Sequence, residues 1–278
     1  MSVLVSVAEL VEALAGRDAP RVLDVRWSLA APDGWPAYTA EHLPGAIYVD
    51  LNTDLAAPAS ASEGRHPLPT QGSFERAARG WGLAPGEPVV VYDDASGMSA
   101  ARAWWLLRHA GVSDVRILDG GLGAWRAAGA PLESGEVAPL PSHIELSWGH
   151  MTVIDADAAA EFSRTGLLLD ARAGERYRGE IEPIDPRAGH IPGAVSAPTQ
   201  DNMGPGGTFL AQDVLRARFA ALGADRSHSV AVYCGSGVTA AHEIAALAEA
   251  GVDAALYPGS WSQWSHDAER PAATGDSS

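Results

Sequence analysis

The feature that most constrains the fold is an internal repeat, because the same series of short motifs occurs twice in the 278-residue chain. In each half an apolar run ends in Asp-x-Arg, a His-x-Pro-Gly-Ala motif follows, and a second apolar run and a Gly-Trp pair come later. The matching pairs are Asp24-Val25-Arg26 with Asp170-Ala171-Arg172, His42-Leu43-Pro44-Gly45-Ala46 with His190-Ile191-Pro192-Gly193-Ala194, Pro88–Tyr92 with Ser229–Tyr233, and Gly120/Trp125 with Gly259/Trp264. Chance does not keep four such pairs in one order, so the sequence predicts two copies of one domain.

Each half alternates short apolar strands with helical stretches such as 99–110 and 239–250. Such alternation indicates βαβ units and an α/β fold, in which a mainly parallel sheet is flanked by helices. The proline-containing segment 136–149 has no periodicity and is the predicted linker between domains at 1–135 and 150–278. The small, polar tail from Pro271 onward is expected to be loosely ordered.

Composition excludes several functions. A formal net charge of -16 argues against nucleic acid and anionic membranes as partners, since both require basic patches. Neither a signal-like leader nor a long apolar run is evident, and the single cysteine permits no intramolecular disulfide, so we expect a cytoplasmic protein. Lysine is absent, which excludes Schiff-base chemistry and lysine-dependent phosphate loops. The histidines show no paired metal-ligand spacing, and we expect neither a metal nor an organic cofactor.

The only cysteine, Cys234, is the candidate nucleophile. The apolar run Val230–Tyr233 predicts a buried strand before it, and apolar positions with helical spacing follow it. On the turn between them, Gly235 and Gly237 allow backbone N–H groups to point toward the sulfur. These groups and the positive end of the helix favour the thiolate, which is the nucleophilic form. The alternative is a buried structural cysteine, the commoner fate of a lone cysteine.

The first half offers no sulfur at the matching place, where its sequence reads Tyr92-Asp93-Asp94. We take Asp94 as the counterpart of Cys234. Because a carboxylate cannot act as a sulfur nucleophile, the sequence predicts one active and one inactive copy.

Taken together, the motifs resemble the tandem-domain sulfurtransferases of rhodanese type. The resemblance spans nearly the whole chain and includes Leu118-Asp119-Gly120-Gly121 in addition to the two His-x-Pro-Gly-Ala motifs. The loop Cys-Gly-Ser-Gly-Val-Thr at 234–239 is most similar to that of the 3-mercaptopyruvate sulfurtransferases. Thiosulfate-preferring relatives typically carry basic residues directly after the cysteine, and this loop has none.

The resemblance implies two substrate-binding arginines in the second domain. The matching positions are Arg176 and Arg187, with Arg178 as a competing candidate. Arginine suits a substrate carboxylate because its planar fork can pair it with two hydrogen bonds. The alternative is that these are solvated surface arginines.

Further catalytic roles follow from the same resemblance. Ser236 matches a loop serine that relays a proton, and His66 matches a family histidine. The family's aspartate falls on Asn52, so Asp50 is the remaining acidic candidate, with a structural role as its alternative. The loop residues Gly235, Gly237, Val238 and Thr239 would surround the substrate sulfur, although Thr239 is also suited to capping the next helix.

The resulting hypothesis is a double displacement without a cofactor. The Cys234 thiolate takes sulfur from 3-mercaptopyruvate, pyruvate leaves, and a thiophile such as cyanide, a small thiol or thioredoxin removes the sulfur. Thiosulfate is the alternative donor, and a non-catalytic persulfide carrier is a more remote alternative. A Cys-x5-Arg phosphatase is disfavoured because position 240, where such an enzyme needs arginine, is alanine.

Overall fold

Two parallel β-sheets organise the chain, and we analyse them in a computed structural model that describes residues 2–224 and 229–276. The described residues form two compact units. The first comprises 2–57, Leu68–Met151 and Gly204–Phe209, and the second comprises Pro58–Pro67, Thr152–Met203, 210–224 and 229–276. The short segment Pro58–Pro67 therefore belongs to the same unit as Cys234, although it comes from the first half of the sequence.

The first unit contains a five-stranded sheet in the order β1-β5-β4-β2-β3. Its central strand is buried along its whole length, as expected for a parallel strand covered on both faces. The strands are β1 (Leu4–Val5), β2 (Arg21–Asp24), β3 (Ile47–Tyr48), β4 (Val89–Tyr92) and β5 (Val115–Leu118). The helices are α1 (Val7–Leu14), α2 (Trp35–Ala40), α3 (Gln71–Gly80), α4 (Ala100–His109) and α5 (Gly121–Ala127).

The second unit contains a four-stranded sheet in the order β7-β6-β8-β9, again with parallel pairing between neighbours. Its strands are β6 (Leu167–Asp170), β7 (Val195–Ser196), β8 (Val230–Tyr233) and β9 (Ala254–Leu256). Its helices are α6 (Ala156–Thr165), α7 (Gly174–Tyr177), α8 (Gln212–Ala221), α9 (Thr239–Glu249) and α10 (Ser260–Trp264). The predicted α/β class with mainly parallel sheets is confirmed.

Equivalent contacts recur in both units. Asp24 forms an ion pair with Arg26 at 2.7 Å, and Asp170 does so with Arg172 at 2.6 Å. The hydroxyls of the tyrosines that end β4 and β8 accept the N–H of Leu43 (3.0 Å) and Ile191 (3.1 Å), respectively. Each sheet is thus tied to its His-x-Pro-Gly-Ala segment in the same way.

The tail is more ordered than the sequence predicts. The indole N–H of Trp264 donates to the carbonyl of Pro271 at 2.8 Å, and Ala273 pairs with His190 as an isolated bridge. The N–H of Gly275 donates to the carbonyl of Arg178 at 2.9 Å. The expectation of a loose tail is therefore wrong for 271–276, and residues 277–278 lie outside the described chain.

Candidate active site

Cys234 lies at the carboxyl end of β8 and is only 1% exposed. Its sulfur accepts the backbone N–H of Ser236 at 3.4 Å and that of Gly237 at 3.1 Å. Its own N–H donates to the hydroxyl of Ser260 at 3.1 Å. Backbone N–H groups directed at one atom form an anion-binding concavity, so this loop favours negative charge on the sulfur.

Backbone conformation maintains the loop. Gly237 has a φ of +78°, and a methyl group there would lie 2.5 Å from the carbonyl oxygen of Pro258, so only glycine fits. Ser260 also has a left-handed backbone, with a φ of 55°, which is unusual for a residue with a side chain. Its hydroxyl donates to the carbonyl of Tyr257 at 2.9 Å while accepting from Cys234. Ser260 therefore fixes the backbone directly at the cysteine, and the sequence alone does not predict it.

The first unit shows what the equivalent loop holds. Asp93, rather than the predicted Asp94, takes the place of Cys234, since it directly follows Tyr92 just as Cys234 follows Tyr233. The fully buried carboxylate of Asp93 accepts four backbone N–H groups at 2.8–2.9 Å. These come from Ala95, Gly97, Ser99 and Ala100. Burial raises the pKa of the Asp93 carboxyl, and these hydrogen bonds oppose that change. The loop after the central strand thus holds a hydrogen-bond acceptor in the copy that has no thiol.

Ser236 and His66 form a hydrogen-bonded pair beside the cysteine. The Ser236 hydroxyl lies 2.8 Å from Nδ1 of His66, and both residues are buried. His66 reaches this position because the segment Pro58–Pro67 is part of the second unit. A hydroxyl and an imidazole in contact can pass a proton, so this geometry suits the predicted relay, which stays a prediction.

Two guanidinium groups converge on Gly235. A methyl group on this residue would lie 3.0 Å from Nη2 of Arg65 and 3.3 Å from Nη1 of Arg176. The predicted Arg176 is therefore close to the loop. Arg65 was not predicted, although it directly precedes the predicted His66.

Two buried carboxylates hold these arginines. Asp185 forms ion pairs with Arg65 and with Arg176, the latter at 3.2 Å, and Glu182 lies 2.7 Å from Arg176. Burial raises the pKa of the Asp185 carboxyl, and the positive charges of Arg65 and Arg176 oppose that change. The sequence predicts neither acidic residue as part of the site, because the segment that carries them has no periodicity.

Arg187 is not brought to the cysteine loop. Its guanidinium donates to the carbonyls of Trp264, Ser265, Asp267 and Arg270 at 2.6–2.9 Å. Because these hydrogen bonds engage all three of its nitrogens, the predicted substrate-binding role is replaced by one that ties down the chain after α10. The competing Arg178 is likewise paired with Glu180 at 2.7 Å.

The Asp50 carboxylate has hydrogen-bond partners close to it in the sequence. It accepts the backbone N–H of Asn52 at 2.8 Å and of Thr53 at 3.2 Å, the pattern of an Asx turn. Because both hydrogen bonds are local, they support the structural alternative for Asp50.

The last two predicted loop residues lead into α9. Val238 is buried and occupies the N-cap position, where no side chain forms a capping hydrogen bond. Thr239 is the first residue of α9, so the expected capping role is wrong. Their contact with the substrate sulfur stays a prediction.

Within residues 2–224 and 229–276, no group of three or more His, Cys, Asp or Glu side chains could hold a metal ion. No helix in that part of the chain is long and apolar enough to span a bilayer.

A parallel-sheet domain that occurs twice, with a thiol in only one copy, defines a duplicated α/β enzyme. The rhodanese-like domain matches residues 6–128 and 149–267, and the chain belongs to this family. It is a sulfurtransferase, as its relatives are named.

Similar proteins cover nearly the full length of the chain. A Mycobacterium tuberculosis protein provisionally named a thiosulfate sulfurtransferase, SseB, is 47% identical, over 98% of this chain and 97% of its own. A Pseudomonas aeruginosa protein provisionally named a 3-mercaptopyruvate sulfurtransferase is 48% identical over 92% of each chain. The structure of 3-mercaptopyruvate sulfurtransferase from Leishmania major matches with a TM-score of 0.84 and 32% identity, over 95% of this chain and 74% of that one. These relatives differ in the named sulfur donor, so similarity alone does not select one.

Proposed function

We propose that this sulfurtransferase moves sulfur from 3-mercaptopyruvate to a thiophilic acceptor through a persulfide on Cys234, releasing pyruvate. The observation that carries the proposal is the Cys234 sulfur held by the N–H groups of Ser236 and Gly237. The guanidinium group of Arg176 beside Gly235 is suited to the donor carboxylate.

In the first half-reaction the Cys234 thiolate attacks the thiol sulfur of the donor. A sulfur–sulfur bond forms, the carbon–sulfur bond breaks, and its electron pair leaves with pyruvate as the enolate. The proton of the donor thiol passes to the Ser236–His66 pair, which returns a proton to the methylene carbon and yields pyruvate.

In the second half-reaction the acceptor attacks the outer sulfur of the persulfide. The sulfur–sulfur bond breaks, the acceptor keeps the transferred sulfur, and the Cys234 thiolate is restored. Cyanide would leave as thiocyanate, and a thiol or reduced thioredoxin would leave as its persulfide. The loop amides lower the energy of the negatively charged outer sulfur, as the four amides around Asp93 do for its carboxylate.

Intact-protein mass spectrometry tests this proposal. Mixing with 3-mercaptopyruvate should add one sulfur atom at Cys234, release one pyruvate per chain, and be reversed by cyanide with formation of thiocyanate. The Cys234→Ser variant should show neither the mass gain nor turnover, since a hydroxyl is barely ionised at neutral pH. Turnover by that variant would contradict the proposal. A mass gain without turnover in the wild type would instead favour a persulfide carrier.

Thiosulfate is the second candidate donor. The similarity to the Mycobacterium tuberculosis protein favours it, and so does the pair of guanidinium groups beside Gly235, which could bind a sulfonate. Initial rates with both donors under identical conditions decide between them. A large thiosulfate preference would replace 3-mercaptopyruvate in this proposal.

Cellular location and acceptor follow from the same thiol chemistry. The single free cysteine stays reduced in a reducing compartment, so we propose a cytoplasmic location and thioredoxin as an acceptor. Turnover with reduced thioredoxin in place of cyanide would test this acceptor.

A further inference from the structure

The structure places a second guanidinium at the donor site, from a residue that the family resemblance does not indicate. Arg65 and Arg176 approach the same point, within 3.0 and 3.3 Å of a methyl group built on Gly235. Their side chains are 25% and 16% exposed, so both remain accessible to a small ligand. Arg187 cannot serve here, because its guanidinium is engaged by four backbone carbonyls.

Buried carboxylates balance the positive charge of Arg65 and Arg176. Asp185, with 1% of its side chain exposed, contacts both Arg65 and Arg176, and Glu182 contacts Arg176. Glu182 also lies 3.4 Å from Arg172, which pairs with Asp170. The connected chain of side chains therefore contains three arginines and three carboxylates. A donor entering beside Gly235 meets guanidinium N–H donors in a network with no net charge.

We propose that Arg65 is the second donor-binding arginine and that Asp185 sets the donor preference by cancelling one positive charge. The inference rests on the proposed function and adds the basis of its specificity. The attraction between a ligand and an added positive charge scales with the ligand's charge. The presence of Asp185 therefore weakens the electrostatic attraction of the dianion thiosulfate more than that of a donor with one carboxylate. A monoanionic donor still gains the directional hydrogen bonds of both guanidinium groups.

A four-variant cycle tests both parts, with kcat/KM measured for 3-mercaptopyruvate and for thiosulfate in wild type, Arg65→Ala, Asp185→Asn and the double variant. We expect Arg65→Ala to lower kcat/KM for 3-mercaptopyruvate about 30-fold, mainly through KM, because charge-assisted hydrogen bonds are lost. Asp185→Asn should raise the thiosulfate-to-mercaptopyruvate ratio about fivefold. The double variant restores a neutral network but lacks Arg65, so its kcat/KM for 3-mercaptopyruvate should remain low.

The exposed ion pair between Arg164 and Glu161 on α6 supplies matched controls. Arg164→Ala and Glu161→Gln make the same charge changes away from the site and should leave both donors unaffected. Full recovery of 3-mercaptopyruvate activity in the double variant would overturn direct contact by Arg65. An unchanged donor ratio in Asp185→Asn would overturn the role of Asp185.

Two additions keep the test decisive. Thermal unfolding and the alkylation rate of Cys234 report whether each variant is folded. If Asp185→Asn does not fold, Arg65→Lys replaces it, since lysine keeps the charge and loses the planar fork. Its KM for 3-mercaptopyruvate should rise about tenfold while thiosulfate turnover is retained, and wild-type behaviour would overturn the inference. Activity in Cys234→Ser would instead reject the proposed function itself.

Discussion

The two glycines after Cys234 have different physical tasks. The atoms nearest to a methyl group on Gly235 would be the ends of the flexible side chains of Arg65 and Arg176. A methyl group on Gly237 would meet the backbone of Pro258 at 2.5 Å, at a φ of +78° that residues with side chains rarely adopt. Gly235 makes room for the two guanidinium groups, and Gly237 shapes the loop that holds the sulfur.

We therefore expect the two alanine variants to fail differently. Gly235→Ala should displace the guanidinium groups and raise the KM for 3-mercaptopyruvate about tenfold, while alkylation of Cys234 stays fast. Gly237→Ala should cost about 1–3 kcal/mol of stability and change the alkylation rate, because the loop itself is strained. Steady-state kinetics, iodoacetamide kinetics and urea unfolding measure these effects. Identical behaviour of the two variants would contradict the division of tasks.

The Ser236–His66 contact predicts a difference between the two donors. The enolate of pyruvate must gain a proton, whereas sulfite leaves thiosulfate without one. Ser236→Ala should therefore reduce kcat for 3-mercaptopyruvate about 100-fold and leave thiosulfate turnover within a few fold. Single-turnover measurements of pyruvate and sulfite release test this. Equal reductions in kcat with both donors would show that Ser236 positions the loop and does not pass a proton.

At the scale of elements, helix α9 carries a buried acidic residue on its first turns. Glu243 is fully buried, accepts a 2.6 Å hydrogen bond from Asn202 and lies 3.4 Å from Arg218. Burial raises the pKa of Glu243 from 4.5 to about 7, against the effect of Arg218. Because the pKa is higher in the folded state, folding favours the protonated form. The contribution of Glu243 to stability is full below pH 4.5 and is lost as the pH rises toward 7.

Glu243→Gln should remove this pH dependence. The stability of the wild type relative to the variant should fall between pH 4.5 and 7 by an amount on the order of 1–3 kcal/mol. Urea unfolding at pH 4.5, 6 and 8 measures the difference, and Glu249→Gln on the same helix is the matched control. Parallel profiles for wild type and Glu243→Gln would show that Glu243 does not titrate over this range.

The sequence predicts the elements far better than it predicts how the site is assembled. Strand, turn and helix around Cys234 follow from local periodicity, and the duplication follows from repeated motifs, so both could be predicted. Arg65 and Asp185 could not, because they meet only when a ten-residue segment from the first half packs into the second unit. Arg187 was misassigned because sequence spacing cannot distinguish a guanidinium facing a ligand from one bound to backbone carbonyls.

For the whole molecule, the two copies use one loop design for two different hydrogen-bond acceptors. The second copy holds a sulfur atom, and the first holds the Asp93 carboxylate on four backbone N–H groups. A carboxylate can satisfy those buried donors permanently, so the first copy needs no ligand to complete its loop. We therefore expect the first copy to have a structural role and the second copy to carry out the chemistry.

This separation predicts that Asp93 stabilises the protein and that its neighbour does not. In Asp93→Asn the side-chain amide group brings N–H donors against backbone N–H donors, and at least one hydrogen bond in a fully buried site is lost. We expect a loss of about 2–4 kcal/mol in the free energy of unfolding. Asp94→Asn is the matched control, because that side chain is 42% exposed and lies 3.9 Å from the Arg26 guanidinium. Its effect should stay within about 0.5 kcal/mol. Urea unfolding followed by tryptophan fluorescence compares the two variants. Equal stabilities would show that the loop of the first copy does not depend on the Asp93 carboxylate.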